Sequence, residues 1–119
     1  MELPYRPGLH LLATLKTTVP ERLYQSEAFR KLATELVERH QLQSLGTVYH
    51  DFPTGGFTGV VCLSESHFSI HTWPEHNLAN VDVYLSNYER TNDGTVRKLF
   101  EAICEHLSAE VISKTELFR

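Results

Sequence analysis

Residues 57–86 read FTGVVCLSESHFSIHTWPEHNLANVDVYLS and contain three β-strand patterns in succession. The strands predicted from them are Phe57–Ser64, His67–Trp73 and Asn80–Ser86, because these stretches are rich in β-branched and aromatic residues. Along the third strand apolar and polar residues alternate, so one of its faces is apolar and the other is polar. The turns between the strands are short and polar, which favours antiparallel pairing.

Two helix patterns and three further strand patterns flank this stretch. Apolar residues recur at helical spacing within Ser26–Gln41, where Ser26 is a suitable N-cap, and within Thr95–Leu107. The remaining strands are predicted at Leu9–Thr18, Leu45–Phe52 and Glu110–Phe118. The order β-α-β-β-β-β-α-β predicts an α+β fold, a two-layer sandwich whose mainly antiparallel sheet carries both helices on one face.

The opposite face of this sheet is predicted to be half polar and rich in aromatic side chains. Such a face is poorly suited to solvent, so the sequence predicts that a second subunit packs against it, sheet to sheet. This face would carry Asp82, Tyr84 and Ser86 of one strand. From another strand it would carry His67, Ser69, His71 and Trp73, or the residues that alternate with them.

The length and charge of the chain exclude several classes of protein. Its 119 residues predict a single domain, 1–119, and a net charge of −4 argues against binding nucleic acid through phosphates. No apolar run approaches the ~20 residues of a membrane span, and Met1–His10 lacks an apolar signal core. Cys62 and Cys104 are expected to be buried free thiols. A cytoplasmic protein without a membrane partner is therefore predicted.

The residue types that most often act in catalysis or bind metals are concentrated in Ser64–Glu75. A Ser-His-Asp hydrolase is disfavoured, because the chain has no Gly-x-Ser-x-Gly elbow. His67 and His71 lie on one strand face about 13 Å apart, which is too far for one zinc ion. The chain also lacks Cys-x-x-Cys and His-Glu-x-x-His, so no metal is expected.

The run LSESHFSIHTWPEHNLANVDVY, residues 63–84, resembles the signature of the prokaryotic S-adenosylmethionine decarboxylase proenzyme family. The resemblance extends to GLHLLATL at 8–15, to the glycine-rich turn before Phe57 and to the closing strand. It implies a zymogen of polyamine (spermidine) biosynthesis that cuts itself between Glu65 and Ser66, giving a β chain 1–65 and an α chain 66–119.

The resemblance also implies a cofactor made from the chain itself. The hydroxyl of Ser66 would attack the carbonyl of Glu65, and elimination and hydrolysis would then turn Ser66 into a pyruvoyl group. The ketone of that group forms a Schiff base with a substrate amine and withdraws the electrons left when carbon dioxide departs.

The same resemblance implies roles in processing or substrate binding for four further residues. His71 matches a histidine that assists processing, and Thr58 falls where the family has a serine that stabilises the oxyoxazolidine intermediate. Phe52 matches an aromatic residue that stacks on adenine, and Glu75 matches a carboxylate that binds the ribose hydroxyls. Considered alone, Phe52 would be a strand-end core residue and Glu75 a loop charge.

Ser86 departs from the family pattern. The family reads Val-Asp-Val-Phe-Thr-Cys-Gly where this chain reads VDVYLSN at 81–87, so the proton-donating cysteine is replaced by Ser86. An alcohol is a far weaker acid than a thiol of pKa ~8.5. Two interpretations therefore stay open. Either Ser86 with water or His71 supplies the proton and the substrate is still S-adenosylmethionine, or the site is adapted to another amino acid, since relatives of the family decarboxylate L-ornithine or L-arginine.

Different residues favour different substrates. Phe52 and Glu75 favour a nucleoside, whereas the missing cysteine favours another amino acid. A diamino acid would need a carboxylate for its distal cation, and Asp51, Glu75 and Asp82 are available. A non-catalytic α/β binding module or pseudoenzyme is the third possibility. An uncut chain would favour it.

The resemblance implies a homodimer with shared active sites. Two protomers of the family pair sheet to sheet, so Ser66 and Ser86 of one protomer would face Thr58 and His71 of its partner. The half-polar sheet face predicted above agrees with such an arrangement.

Overall fold

A computed structural model of the protein describes residues 4–119. Its elements are β1 Leu9–Thr17, α1 Glu27–Arg39, β2 Ser44–Asp51, β3 Phe57–Leu63, β4 Ser66–Trp73, β5 Leu78–Leu85, α2 Asp93–His106 and β6 Ala109–Phe118. Short 3-10 turns occupy Pro20–Leu23 and Pro74–His76. The strands form one antiparallel sheet in the order β2-β3-β4-β5-β1-β6, which confirms the predicted α+β fold.

The strand boundaries differ from the predicted ones at two turns. β4 begins at Ser66 and not at His67, because Ser66 already pairs with Leu63 of β3 and with Leu85 of β5. β3 likewise ends one residue earlier than predicted, at Leu63, so the two-residue turn between β3 and β4 consists of Ser64 and Glu65. β5 begins two residues earlier than predicted, because Asn77 adopts a left-handed conformation (φ 58°) that turns the chain at once into the sheet.

The two helices cover one face of the sheet and form the core with it. In β5, Val81, Val83 and Leu85 are fully buried on that face, as the alternation predicts. The largest buried side chains of the core are Phe29, Phe57, Phe68, Leu9, Leu11, Leu15, Leu23, Leu36, Ile70, Leu85, Leu99 and Ile103.

The prediction that both cysteines are buried is wrong for Cys62. Cys62 is exposed, whereas Cys104 is partly buried and packs against the core. The reason is the alternation of β3, in which Val61 and Leu63 face the helices and Cys62 between them faces the other side.

Ser26 lies directly before α1, as expected, but its side chain serves another element. Its hydroxyl donates to Asp51 Oδ2 at 3.1 Å, and its backbone N–H donates to Asp51 Oδ1 at 2.7 Å. Arg30 Nη2 lies 3.9 Å from the same carboxylate. Asp51 thus joins the end of β2 to the start of α1.

The face opposite the helices is half polar, as predicted. His67, Ser69 and His71 of β4 lie opposite Tyr84, Asp82 and Asn80 of β5, respectively. His10 of β1 is 7% exposed and its ring lies 5.1 Å from that of Tyr84. Among residues 4–119, no helix combines the length and apolar character needed to cross a membrane.

Candidate active site

The backbone at Ser66 has an unusual conformation. Its φ is 120°, a region that residues with a side chain rarely adopt. Such a conformation costs roughly 1–3 kcal/mol and persists only where the surrounding structure imposes it. Here it is imposed at the first residue of β4, which pairs with strands on both sides. The peptide between Glu65 and Ser66 is thus the strained point of the hairpin.

The carbonyl of this peptide is held by the residue that follows the neighbouring strand β5. The backbone N–H of Ser86 donates a hydrogen bond of 2.8 Å to the carbonyl oxygen of Glu65. A donor aimed at a carbonyl oxygen stabilises the negative charge that develops when a nucleophile attacks the carbon. Glu65, Ser66 and Ser86, three of the predicted site residues, are therefore brought together at one end of the sheet.

Arg90 and Asn92 are polar residues at this end that the sequence analysis did not single out. Both contact the Glu65 carboxylate, and Arg90 does so with two nitrogens. A cavity of about 550 Å³ opens beside them, lined by Gln43, Ser64, Glu65, Ser86, Tyr88, Glu89 and Arg90. Arg90 and Asn92 belong to a polar loop without periodicity, so no sequence signal pairs them with Glu65.

A second group of predicted residues lies at the other end of β4. Thr58 of β3 and His71 of β4 are direct cross-strand partners, and Thr58 Oγ1 shares a 2.5 Å hydrogen bond with His71 Nδ1. A groove of about 310 Å³ adjoins this pair. Its lining residues are Phe52, Thr54, Gly55, Thr58, His71, Thr72, Trp73 and Glu75.

The aromatic residues of this groove are available to a planar ligand. Phe52 is 46% exposed and Trp73 is 42% exposed, so both rings present open surface. The expectation that Phe52 alone would be a core residue is therefore wrong. Trp73, whose ring lies 6.4 Å from that of His71, was predicted on this face but was not assigned a role in the site.

The two groups are far apart within one chain. Ser66 is the first residue of β4, and His71 lies near the end of the same strand. At about 3.3 Å per residue, the five steps between them span about 16 Å.

Within the described residues 4–119, no three His, Cys, Asp or Glu side chains come close enough together to hold a metal ion.

Comparisons with known proteins point to one family. A family model described as S-adenosylmethionine decarboxylase matches residues 9–119. The S-adenosylmethionine decarboxylase proenzyme of Archaeoglobus fulgidus is 35% identical over 103 residues, which are 87% of this chain and 88% of that protein. The proenzyme of the same name from Aquifex aeolicus is 47% identical over 77 residues, which are 65% of this chain and 57% of that protein.

The fold agrees with these sequence matches. The crystal structure of the adenosylmethionine decarboxylase from Aquifex aeolicus VF5 is similar to this one with a TM-score of 0.79 and 32% identity. The similarity covers 98% of this chain and 91% of that one. Because the family model and the Archaeoglobus relative both cover most of the sequence, the chain belongs to the S-adenosylmethionine decarboxylase family.

Proposed function

We propose that the chain is the precursor of a pyruvoyl-dependent decarboxylase of polyamine biosynthesis that acts on S-adenosylmethionine and cuts itself between Glu65 and Ser66. The observation that carries this proposal is the geometry of that peptide in a chain of this family. The φ of Ser66 is strained, and the Glu65 carbonyl accepts a hydrogen bond from Ser86 N–H.

The residues at the turn fit the formation of a pyruvoyl group. Attack by Ser66 Oγ on the Glu65 carbonyl carbon forms a C–O bond, and the C–N bond then breaks to leave an ester and a free Ser66 amine. Loss of a proton from Ser66 Cα expels the Glu65 carboxylate, and addition of water with loss of ammonia completes the pyruvoyl group. Strain at Ser66 and the Ser86 donor both favour the first step.

The pyruvoyl group would supply an electron sink for the electrons left when carbon dioxide departs. The other residues would bind the substrate and move protons. The open ring of Phe52 is suited to stacking on adenine, and the Glu75 carboxylate to hydrogen bonds from ribose hydroxyls. Ser86, at the family's proton-donor position, would protonate the product carbon more slowly than a thiol.

A diamino acid such as L-ornithine or L-arginine is the second candidate substrate, favoured by the hydroxyl of Ser86 where the family has a thiol. Of the three carboxylates considered for its distal cation, Asp51 already accepts hydrogen bonds from Ser26 and lies near Arg30. Glu75 lines the groove beside His71, and Asp82 lies on the open face. These two are the better candidates.

A homodimer would complete the site. Thr58 and His71 lie at one end of β4 and Ser66 lies at the other, about 16 Å away, so one chain does not bring them together. Two open sheet faces packed with opposite orientation would set the Ser66 end of each protomer against the His71 end of its partner. This arrangement would also cover the polar face of each sheet.

Intact-protein mass spectrometry followed by an assay tests the proposal. We expect chains 1–65 and 66–119, the second lighter by one ammonia than a chain that starts with serine. The same sample should release carbon dioxide from carboxyl-labelled S-adenosylmethionine, and Ser66→Ala should give one uncut, inactive chain. Release from ornithine or arginine alone would favour the second candidate. An uncut wild-type chain would refute the enzyme and favour a non-catalytic binding module.

A further inference from the structure

The side chain of Glu65 is bound more tightly than an exposed hairpin residue needs to be. Arg90 Nε lies 3.2 Å from Oε2 and Arg90 Nη2 lies 2.9 Å from Oε1, a two-pronged contact with the carboxylate. Asn92 Nδ2 also donates to Oε2. Arg90 Nη2 donates in addition to the Gln41 carbonyl at 3.1 Å, which anchors the guanidinium to the turn that follows α1.

The same residues connect the Glu65 side chain with its carbonyl. Asn92 Nδ2 donates to the Ser86 carbonyl at 2.8 Å, and Ser86 N–H donates to the Glu65 carbonyl at 2.8 Å. These contacts close a ring that runs from the Glu65 carbonyl through Ser86 and Asn92 to the Glu65 carboxylate. We call Ser86, Arg90 and Asn92 the Glu65 clamp.

The clamp is itself fixed by buried polar contacts. Asn92 is 2% exposed and its backbone N–H donates to Asn87 Oδ1 at 2.7 Å. Asn87, which is 5% exposed, donates through Nδ2 to the Pro7 carbonyl and to Asp93 Oδ1, both at 3.0 Å. Buried side chains that satisfy one another in this way have little freedom to move.

We propose that Arg90 and Asn92 are positioning residues for the self-cleavage of this chain. The inference rests on the proposed function and deepens it. The attacked carbon changes from planar to tetrahedral while its oxygen must stay on the Ser86 N–H, so the peptide on its N-terminal side has to be held still. Arg90 and Asn92 do this through the Glu65 side chain, and neither side chain forms a hydrogen bond with Ser66.

The first experiment follows cleavage of freshly synthesised precursor over time in a cell-free system. The test variants are Arg90→Ala, Arg90→Lys and Asn92→Asp, which keeps the shape of the amide but sets a second carboxylate against Glu65. Arg97→Ala is the matched control. It removes another Arg–Glu pair, between Arg97 Nη2 and Glu116 Oε2 at 3.2 Å, from the helix that follows the clamp.

Arg90→Ala and Asn92→Asp should slow cleavage by about ten- to a hundredfold, the size expected for losing charge-assisted hydrogen bonds. Arg90→Lys should restore part of the rate, and Arg97→Ala should cut like the wild type. Hydroxylamine, which cleaves the ester, should not rescue Arg90→Ala, because the clamp acts before the ester forms.

Three outcomes contradict this inference. If the wild type cuts itself and Arg90→Ala and Asn92→Asp cut at the wild-type rate, Arg90 and Asn92 do not position the turn. The proposed function would be unaffected by that result. If hydroxylamine restores the rate, the residues act after the acyl shift. If cleavage slows only in proportion to a lowered thermal midpoint, and does so equally in Arg97→Ala, the substitutions act by destabilising the fold. An uncut wild type would instead refute the proposed function.

Discussion

Ser86 contacts the Glu65 carbonyl through its backbone N–H, at 2.8 Å, and not through its hydroxyl. The contact therefore survives any side chain at position 86 that leaves the backbone in place. Cleavage and decarboxylation should then respond differently to substitution here, because only the second is proposed to use the side chain as a proton donor.

We expect Ser86→Cys to cut itself at a rate close to that of the wild type and to decarboxylate S-adenosylmethionine about tenfold faster or more. The reason is that a thiol of pKa ~8.5 is a much stronger acid than an alcohol. The measurements are cleavage by mass spectrometry and release of labelled carbon dioxide. Ser86→Ala serves as the control and should cut but turn over more slowly. Equal turnover by all three chains would exclude position 86 as the proton donor.

Thr58 should contribute to self-cleavage through its hydroxyl alone. Thr58→Ser keeps the hydrogen bond with His71 Nδ1 and should process like the wild type. Thr58→Val has nearly the same shape but no hydroxyl, and we expect cleavage to slow about tenfold or more from the loss of one positioned donor. A time course of precursor and product measures the difference. Normal processing by Thr58→Val would remove Thr58 from the processing machinery.

A shared active site makes a prediction about mixed dimers. Ser66→Ala and His71→Ala chains should each stay uncut when expressed alone. In a mixed dimer, the intact Ser66 of the His71→Ala chain meets the intact His71 of its partner. Only the His71→Ala chain should then be cut, and mass tags on the two chains would identify it. Absence of any cut in verified mixed dimers would contradict sharing of the site.

Gly8 lies directly before the interior strand β1 and packs against the backbone of Leu85 and Ser86, beside the candidate site. A Cβ added at Gly8 would meet the Leu85 carbonyl oxygen and lie 3.1 Å from the Ser86 Cα, and backbone atoms yield less readily than a flexible side chain. We expect Gly8→Ala to lower the free energy of unfolding by roughly 1–3 kcal/mol and to slow cleavage by displacing Ser86.

Gly94→Ala is the matched control for this prediction. Apart from the two chain neighbours of Gly94 and the backbone of its own helix, no described residue has an atom within 4 Å of a Cβ placed there, in the first turn of α2. Alanine there should leave cleavage unchanged and stabilise the fold by up to about 1 kcal/mol. Urea unfolding measures both variants, and equal effects of the two would disprove the proposed contact at Gly8.

His106 should make the stability of the fold depend on pH. Burial, with a smaller contribution from Arg22, lowers the pKa of His106 below its usual 6.5, and its Nε2 has no hydrogen-bond partner among residues 4–119. At a pH near or below 6.5, His106 therefore binds a proton more readily in the unfolded chain than in the folded one. Stability should therefore fall as the pH falls through 6.5 toward the lower pKa of the folded state.

The variant His106→Phe tests this dependence. A phenyl ring can pack on Phe29, whose ring lies 6.4 Å from that of His106, but it does not titrate. The thermal midpoint of the variant should fall less than that of the wild type between about pH 7.5 and pH 5.5, the interval that spans the usual histidine pKa. His50→Gln, at an exposed position on β2, controls for the removal of a histidine. An unchanged pH profile in His106→Phe would show that His106 does not contribute.

Periodicity was sufficient to predict the sheet and its two faces. Alternation along β5 correctly placed Val81 and Val83 in the core and Asp82 on the open face, because burial on one side of a strand selects every second residue. The register between β3 and β4 was not predicted. It depends on a turn at Ser64 and Glu65, whereas the predicted strand ends place the turn one residue later, at Glu65 and Ser66. The contact between Thr58 and His71 follows from that register.

The clamp around Glu65 could not be predicted from the sequence. Arg90 and Glu65 are 25 positions apart, and Arg90 belongs to a loop whose path depends on how α2 docks. A pattern of one type of residue along a strand or helix predicts burial, but a contact between a loop and a turn has no period. The resemblance to a family predicts cleavage between Glu65 and Ser66, and only the folded chain shows which residues surround that peptide.

The strand order has a consequence for the cut protein. β1 belongs to the segment before the scissile bond, yet it lies between β5 and β6, which belong to the segment after it. The two products would thus be interleaved and would separate only when the whole sheet opens. Refolding would then require two separate segments to meet for every protomer. The thermal midpoint should therefore rise more steeply with concentration for the mature protein than for the uncut Ser66→Ala chain.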